Sequence, residues 1–173
     1  QAGNNWPVLF NFASTTMNYG FLNLTNSCPN DTYANVGVFS AAPTSTSMFR
    51  TNSGSMNGSG YGIVAYLFAT CAGVSKVGSY TGNGSSQTIA CGFTAGSRFV
   101  MIKRTDSTGD WYVWDSARGI VAGNDPHLSL NTTAAEVTTD DSVDTDNSGF
   151  IVNQVAATNV NVTSAQYLFL AIA

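Results

Sequence analysis

Charge is what this chain has least of. Only 9% of its 173 residues are Asp, Glu, Lys or Arg, against roughly a quarter in an ordinary soluble domain. Up to residue 75 the only charged side chains are Asp31 and Arg50, and the acids gather late, between Glu136 and Asp146. No basic patch forms, and the net charge is −4. That balance excludes the phosphate-neutralising surface nucleic acid requires. Solubility therefore rests on hydroxyls and amides. The shortage of Lys and Glu also removes the side chains that usually blunt sheet edges. Such edges are expected to be covered by neighbouring subunits or closed within the fold, which points to a homo-oligomer.

Long apolar runs are missing too. None reaches 18 residues, so no membrane insertion is expected. The start carries no basic segment followed by an apolar one. It begins at Gln1, which reads as a processed chain or a fragment of a longer one. Cysteine is scarce and odd in number. Cys28, Cys71 and Cys91 allow at most one disulfide, any pairing among them is open, and no pair has zinc-like spacing. Buried small hydrophobes are the preferred reading.

Catalytic signatures are absent as well. There is no nucleophile elbow, zinc-protease motif, phosphate loop or dinucleotide fingerprint. The single His127 has no nucleophile signature beside it and reads as a turn or surface histidine. Glu136 is the only Glu, and most Asp stand in turn contexts. The paired carboxyl groups of a glycoside hydrolase are therefore not apparent. The chain reads as non-enzymatic and without a cofactor.

What is present is short runs of strand formers separated by Gly, Asn, Ser and Asp. Strands are predicted at 6–12, 19–25, 36–39, 74–80, 87–91, 150–153 and 166–172. Residues 127–131 read as a further strand. Residues 61–69, YGIVAYLFA, form the most continuous apolar run of the first half and read as a buried strand. Residues 134–137 allow a single helical turn at most. With no 3.6-residue apolar period, the expected fold is an all-β antiparallel β-sandwich in one domain spanning 1–173.

Short motifs recur in order. Trp6-Pro-Val8 answers Trp111-Tyr-Val113, and Leu22-Asn-Leu24 answers Leu128-Ser-Leu130. The Phe49 to Asn52 run answers Phe150 to Asn153, and Tyr66-Leu-Phe68 answers Tyr167-Leu-Phe169. They suggest two related strand sets, about 6–69 and 111–172, joined by 70–110.

The segment from Cys91 to Gly119 gathers most of the basic residues and two of the three Trp, and reads as a hairpin. Its first strand is 99–103, its turn 105–110 and its second strand 111–114. Tyr112 and Trp114 share one strand face and Trp111 and Val113 the other, so one aromatic set is expected outside the core. An exposed aromatic can stack on a sugar ring. Tyr112, Trp114, Asp115, Lys103 and Arg104 are the candidate ligand-binding residues. Asp144, Asp146 and Ser148 have the D-x-D-x-S-G start of a calcium loop. The twelfth position, however, is Val155 and no helices flank the loop. A charged β-turn is the preferred reading, with Ca²⁺ the alternative.

Several stretches together resemble a family of domains in structural proteins of tailed bacteriophages, especially marine phages and cyanophages. They are LNLT at 22–25, NGSG at 57–60, IVAYLFA at 63–69 and GVSKVGSYTGNGS at 73–85. FVMIKRTDSTGDW at 99–111, WDS at 114–116, SGF at 148–150 and YLFLA at 167–171 complete the set. The likeness is most specific in the middle third. It departs at 92–98, GFTAGSR, and is weakest over 26–47 and 134–147. The resemblance implies a jelly-roll or concanavalin-like sandwich at the virion surface, in a tail or head fibre that aids host attachment. Its implied partners are copies of itself, other virion proteins and a host cell-surface glycan. A capsid-decorating or filament-forming subunit is the first alternative. A glycan-binding or glycan-cleaving domain is the second.

Overall fold

The computed structural model describes residues 5–10, 16–32 and 64–173. Among the described residues the chain is all-β, and every strand pairing is antiparallel. The strands are β1 (Pro7–Phe10), β2 (Thr16–Phe21), β3 (Asn30–Thr32), β4 (Ser75–Thr81), β5 (Gln87–Ala90) and β6 (Phe99–Arg104). They continue as β7 (Trp111–Asp115), β8 (His127–Ser129), β9 (Val143–Asp146), β10 (Gly149–Val152) and β11 (Gln166–Ile172).

Three sheets form. The largest has five strands in the order β4-β11-β6-β7-β8. Two three-stranded sheets, β5-β10-β9 and β1-β2-β3, cover its opposite faces. Alternation along each strand explains how. Val100 and Ile102 on β6, Trp114 on β7 and Tyr167, Phe169 and Ala171 on β11 point to one face. There they meet Ile89, Val143, Phe150 and Val152 of the β5-β10-β9 sheet, with Phe150 edge-on to Phe169 at 5.4 Å between ring centroids. Trp111 and Leu168 point the other way, against Phe10 and Cys28 of the N-terminal segment, with Val8, Leu22 and Met101 alongside. The result is a sandwich with a third sheet on its outer face.

Burial on both faces accounts for the unbroken apolar run of β11, because a strand with no solvent side has no polar alternate positions. It also corrects the expectation that one aromatic set of β7 lies outside the core. Trp111 and Trp114 are both fully buried. Each such side chain contributes about 1.5–3 kcal/mol through its removal from water.

Other expectations also change. Residues 64–69 form no strand, and Val64, Tyr66, Leu67 and Phe68 stand exposed. Just after them, the Thr70 hydroxyl donates to the Val77 carbonyl and accepts from the Val77 N–H, both at 3.2 Å, capping the outer edge of β4. The matched motifs differ in environment. Tyr66-Leu-Phe68 is exposed and irregular, while Tyr167-Leu-Phe169 lies inside β11. Trp6 is 62% exposed, whereas Trp111 is buried. The Phe49 to Asn52 part of that comparison lies outside the described residues, as do the strand expected at 36–39 and residues 11–12 of the first strand. Residues 134–137 make an isolated bridge at His127 and Val137 instead of a helical turn. All three cysteines are free, Cys28 and Cys91 buried as expected and Cys71 exposed.

Two strands went unforeseen. β3 lies in a segment for which no strand was predicted. β9 lies in the acidic stretch read as turn, where Val143 supplies the core contact. β10 comes so close to β5 that a Cβ on Gly149 would sit 2.1 Å from the Ile89 carbonyl oxygen, which only glycine permits.

Candidate functional site

The β6–β7 hairpin ends in the polar turn 105–110, and its tip is held rigidly. The Gly109 N–H donates to the Thr25 carbonyl at 2.9 Å, tying the tip to the N-terminal sheet. Lys103 serves the same purpose from inside. Its ammonium is buried and donates to the carbonyls of Thr25 at 3.0 Å and Gly109 at 2.6 Å. Burial lowers its pKa. Lys103 is therefore a structural cation and not the surface ligand contact expected of it, because the N-terminal segment covers its face of β6.

Beside this tip lies a hollow of about 310 Å³, lined by Arg104, Thr108, Asp110, Tyr112, Asn159 and Tyr167 among others. Its side chains are fixed before any ligand arrives. Arg104 makes a forked ion pair with Asp106, at 2.9 and 3.3 Å. Asp110 accepts from the Ser129 hydroxyl at 3.2 Å and from the Asn131 amide at 2.8 Å. Tyr112 is half-buried, with its ring edge-on to His127 at 5.3 Å. Its hydroxyl is pushed up to about 12 by burial and by the neighbouring Asp110. Tyr167 donates to the Asn159 carbonyl at 2.7 Å and shapes the far wall.

Of the residues singled out in the sequence, Arg104 and Tyr112 thus share one hollow. Trp114 does not, since it is core. Asp115 does not either. It accepts the N–H groups of Ala117 and Arg118 at 3.0 and 2.9 Å, pairs with the Arg118 guanidinium, and closes the turn after β7.

Behind the hollow lies a buried polar row. His127 is not the surface histidine expected but is buried against Tyr112 and Trp114. Its Nδ1 is 3.5 Å from Asp140 Oδ1. The Ser142 hydroxyl donates to Asp140 at 2.8 Å and contacts the Thr158 hydroxyl at 2.8 Å. Ser142 therefore engages the carboxylate and not the imidazole, which is not the order of a Ser-His-Asp relay.

The calcium-loop motif divides. Asp146 accepts the N–H and hydroxyl of Ser148 at 2.8 and 2.6 Å, closing the β9–β10 turn as a charged β-turn. Asp144 turns away to join Asp125 and Asp141, whose carboxylates approach within 4.8 Å of one another. Oxygen donors so spaced are the kind a hard cation takes. Protein donors already satisfy them in part. Val121 and Val143 N–H groups reach Asp125 at 3.0 and 3.2 Å, and the Asn153 amide bridges Asp141 at 3.1 Å and Asp144 at 2.7 Å. Burial, then the charges of Asp144 and Asp141, push Asp125 up to about 7. Asp125 and Asp141 carried no local sequence signal, because the cluster forms only when β9 enters its sheet.

A second, open hollow of about 530 Å³ lies on the other side of Asn131, lined by Trp6, Asn23, Leu130, Asn131, Thr132 and Thr133. The Asp110–Asn131 hydrogen bond links the two hollows. Trp6 was expected to open the strand at 6–12 and was not among the candidate ligand contacts; it lies just before β1, 62% exposed.

These features define an antiparallel β-sandwich domain with a polar hollow at the tip of one hairpin and a second hollow beside it at Trp6. The chain belongs to the family described as Domain of unknown function (DUF7483), whose model matches residues 1–173. No curated protein and no solved structure matches it.

Proposed function

We propose that the chain is a non-enzymatic structural domain of a virion surface protein, in a tail or head fibre, that takes part in host attachment. The observation that carries this reading is the hairpin tip. Its polar side chains are prearranged around an open hollow, and only one carboxylate, Asp110, lines it. Glycoside hydrolysis uses two, so the arrangement suits recognition better than cleavage. The resemblance to phage structural domains is most specific over this same hairpin. Antibodies against the purified chain are expected to label fibres on intact particles and to slow their adsorption to host cells. Unlabelled particles would overturn the virion reading.

A second reading rests on Val64, Tyr66, Leu67 and Phe68, an exposed apolar strip beside the capped edge of β4. Such a strip favours chain-to-chain packing, as in a capsid-decorating or filament-forming subunit. It predicts concentration-dependent assembly in sedimentation, weakened by Tyr66→Ser with Phe68→Ser. Labelled particles that adsorb normally under saturating antibody would favour this role over attachment.

A further inference from the structure

We propose that the open hollow at Trp6 binds a neutral, hexose-containing glycan. The inference deepens the attachment reading and rests on it. Three observations lead to it. First, Trp6 is 62% exposed while Trp111 and Trp114 are fully buried, and the Trp6 backbone is nevertheless fixed. Its N–H donates to Asn23 Oδ1 at 2.8 Å and its carbonyl accepts from the Leu22 N–H at 2.8 Å. An exposed aromatic on an anchored backbone offers the apolar surface on which the C–H face of a sugar ring stacks.

Second, the polar groups around it are two amides and two hydroxyls, from Asn23, Asn131, Thr132 and Thr133, and none of the lining side chains is charged. Sugar hydroxyls both donate and accept, and so do these groups. Sialic acids, uronates and sulfated sugars would find no cation there to pair with. Third, Asn131 is preset. Its Oδ1 accepts the Trp111 N–H at 2.8 Å and its Nδ2 donates to Asp110 at 2.8 Å, leaving one N–H and one lone pair to offer. A preset amide forfeits little side-chain freedom on binding. The same hydrogen bond ties Asn131 to Asp110 in the wall of the neighbouring hollow.

The test begins with the purified chain on an array of neutral, sialylated, uronate and sulfated glycans. The best-bound soluble oligosaccharide is then titrated by tryptophan fluorescence with acrylamide as quencher. Neutral glycans are expected to bind, and binding should shield the quenchable fraction, which comes from Trp6. Trp6→Ala should weaken binding by about tenfold or more and leave the melting temperature unchanged. Thr133→Val should weaken it less and leave quenching of the free chain intact. Binding confined to acidic glycans, no binding at all, or neutral-glycan binding indifferent to Trp6→Ala would each overturn the inference. The two readings can fail separately. Antibody-blocked adsorption without glycan binding sinks this inference alone. Trp6-dependent glycan binding by a chain that labels no particle sinks the attachment reading and keeps the site.

Discussion

Lys103 and Trp111 face each other across the β6–β7 pair, with the ammonium 5.9 Å from the centre of the indole ring. A cation over an aromatic face gains from the ring quadrupole. Here it also has two carbonyls, but no carboxylate within ion-pair distance among the described residues. Burial lowers the Lys103 pKa, so the folded state prefers the neutral amine more than the unfolded state does. Two consequences follow. Lys103→Met should leave stability within about 1 kcal/mol of the original, because it removes a buried charge and strands only the Gly109 carbonyl. Thr25 keeps the Gly109 N–H. Lys103→Ala, which also leaves a cavity, should cost about 3 kcal/mol. As pH rises toward 10.5, through the lowered pKa, the original chain should gain stability relative to the Met variant. Urea unfolding at pH 7 and pH 10 measures both effects.

The thiols should separate by exposure. Burial raises the Cys28 pKa and pushes Cys91 up to about 11, so neither presents thiolate at pH 8, whereas Cys71 is exposed. Ellman's reagent should titrate one thiol per native chain quickly and all three in denaturant. Cys71→Ser should abolish the fast phase. A second fast thiol would contradict the burial of Cys28 or of Cys91.

Asn161 is fully buried and joins three segments. Its Oδ1 accepts from the Asn83 N–H at 3.0 Å and from the Gln87 amide at 2.9 Å, and its Nδ2 donates to the Val152 carbonyl at 3.1 Å. Asn161→Ala strands several of these buried groups and should cost about 3 kcal/mol. Asn159→Ala, at an exposed neighbour, should cost less than Asn161→Ala. Chemical denaturation of the two variants compares them directly.

The Asp125 cluster should make stability fall as pH rises from about 4 to 7. Asp125 is pushed up to about 7, so across that window the folded state holds a proton that the unfolded state has released. Asp141→Asn removes one of the repelling charges and keeps an oxygen for the Asn153 amide. Its melting temperature, measured with chelator present, should exceed the original at pH 8 and converge with it at pH 5. Equal values at both pH values would show that the carboxylates do not repel in the folded chain.

Most strands were legible because their alternation and turn residues are local. The 166–172 run and the hairpin at 99–114 are the clearest cases. The sheathing of both faces of the five-stranded sheet was not legible, because covering depends on which distant segment docks where. That one feature moved Trp114 and Lys103 from candidate site to interior. It also left residues 64–68, apolar enough for a core strand, outside every sheet. Asp115, offered as a ligand contact, instead closes the turn after its own strand through local bonds. Arg104 and Tyr112 were visible from the turn they flank. Trp6 was not, since an aromatic next to Pro7 reads equally well as core or surface, and Asn131 joins it only through folding.

The position of β11 also orders events in time. Among the described residues, β4 has no strand partner other than β11, and β6 reaches β4 only through it. During synthesis the segment at 75–81 must therefore wait until residue 172 has cleared the ribosome before its ladder can form. Until then the hairpin at 99–115 can pair with itself but has only β8 on its outer side. The nascent chain is thus left with an unfinished edge until β11 emerges, which makes its yield sensitive to chaperone supply and to the pace of elongation.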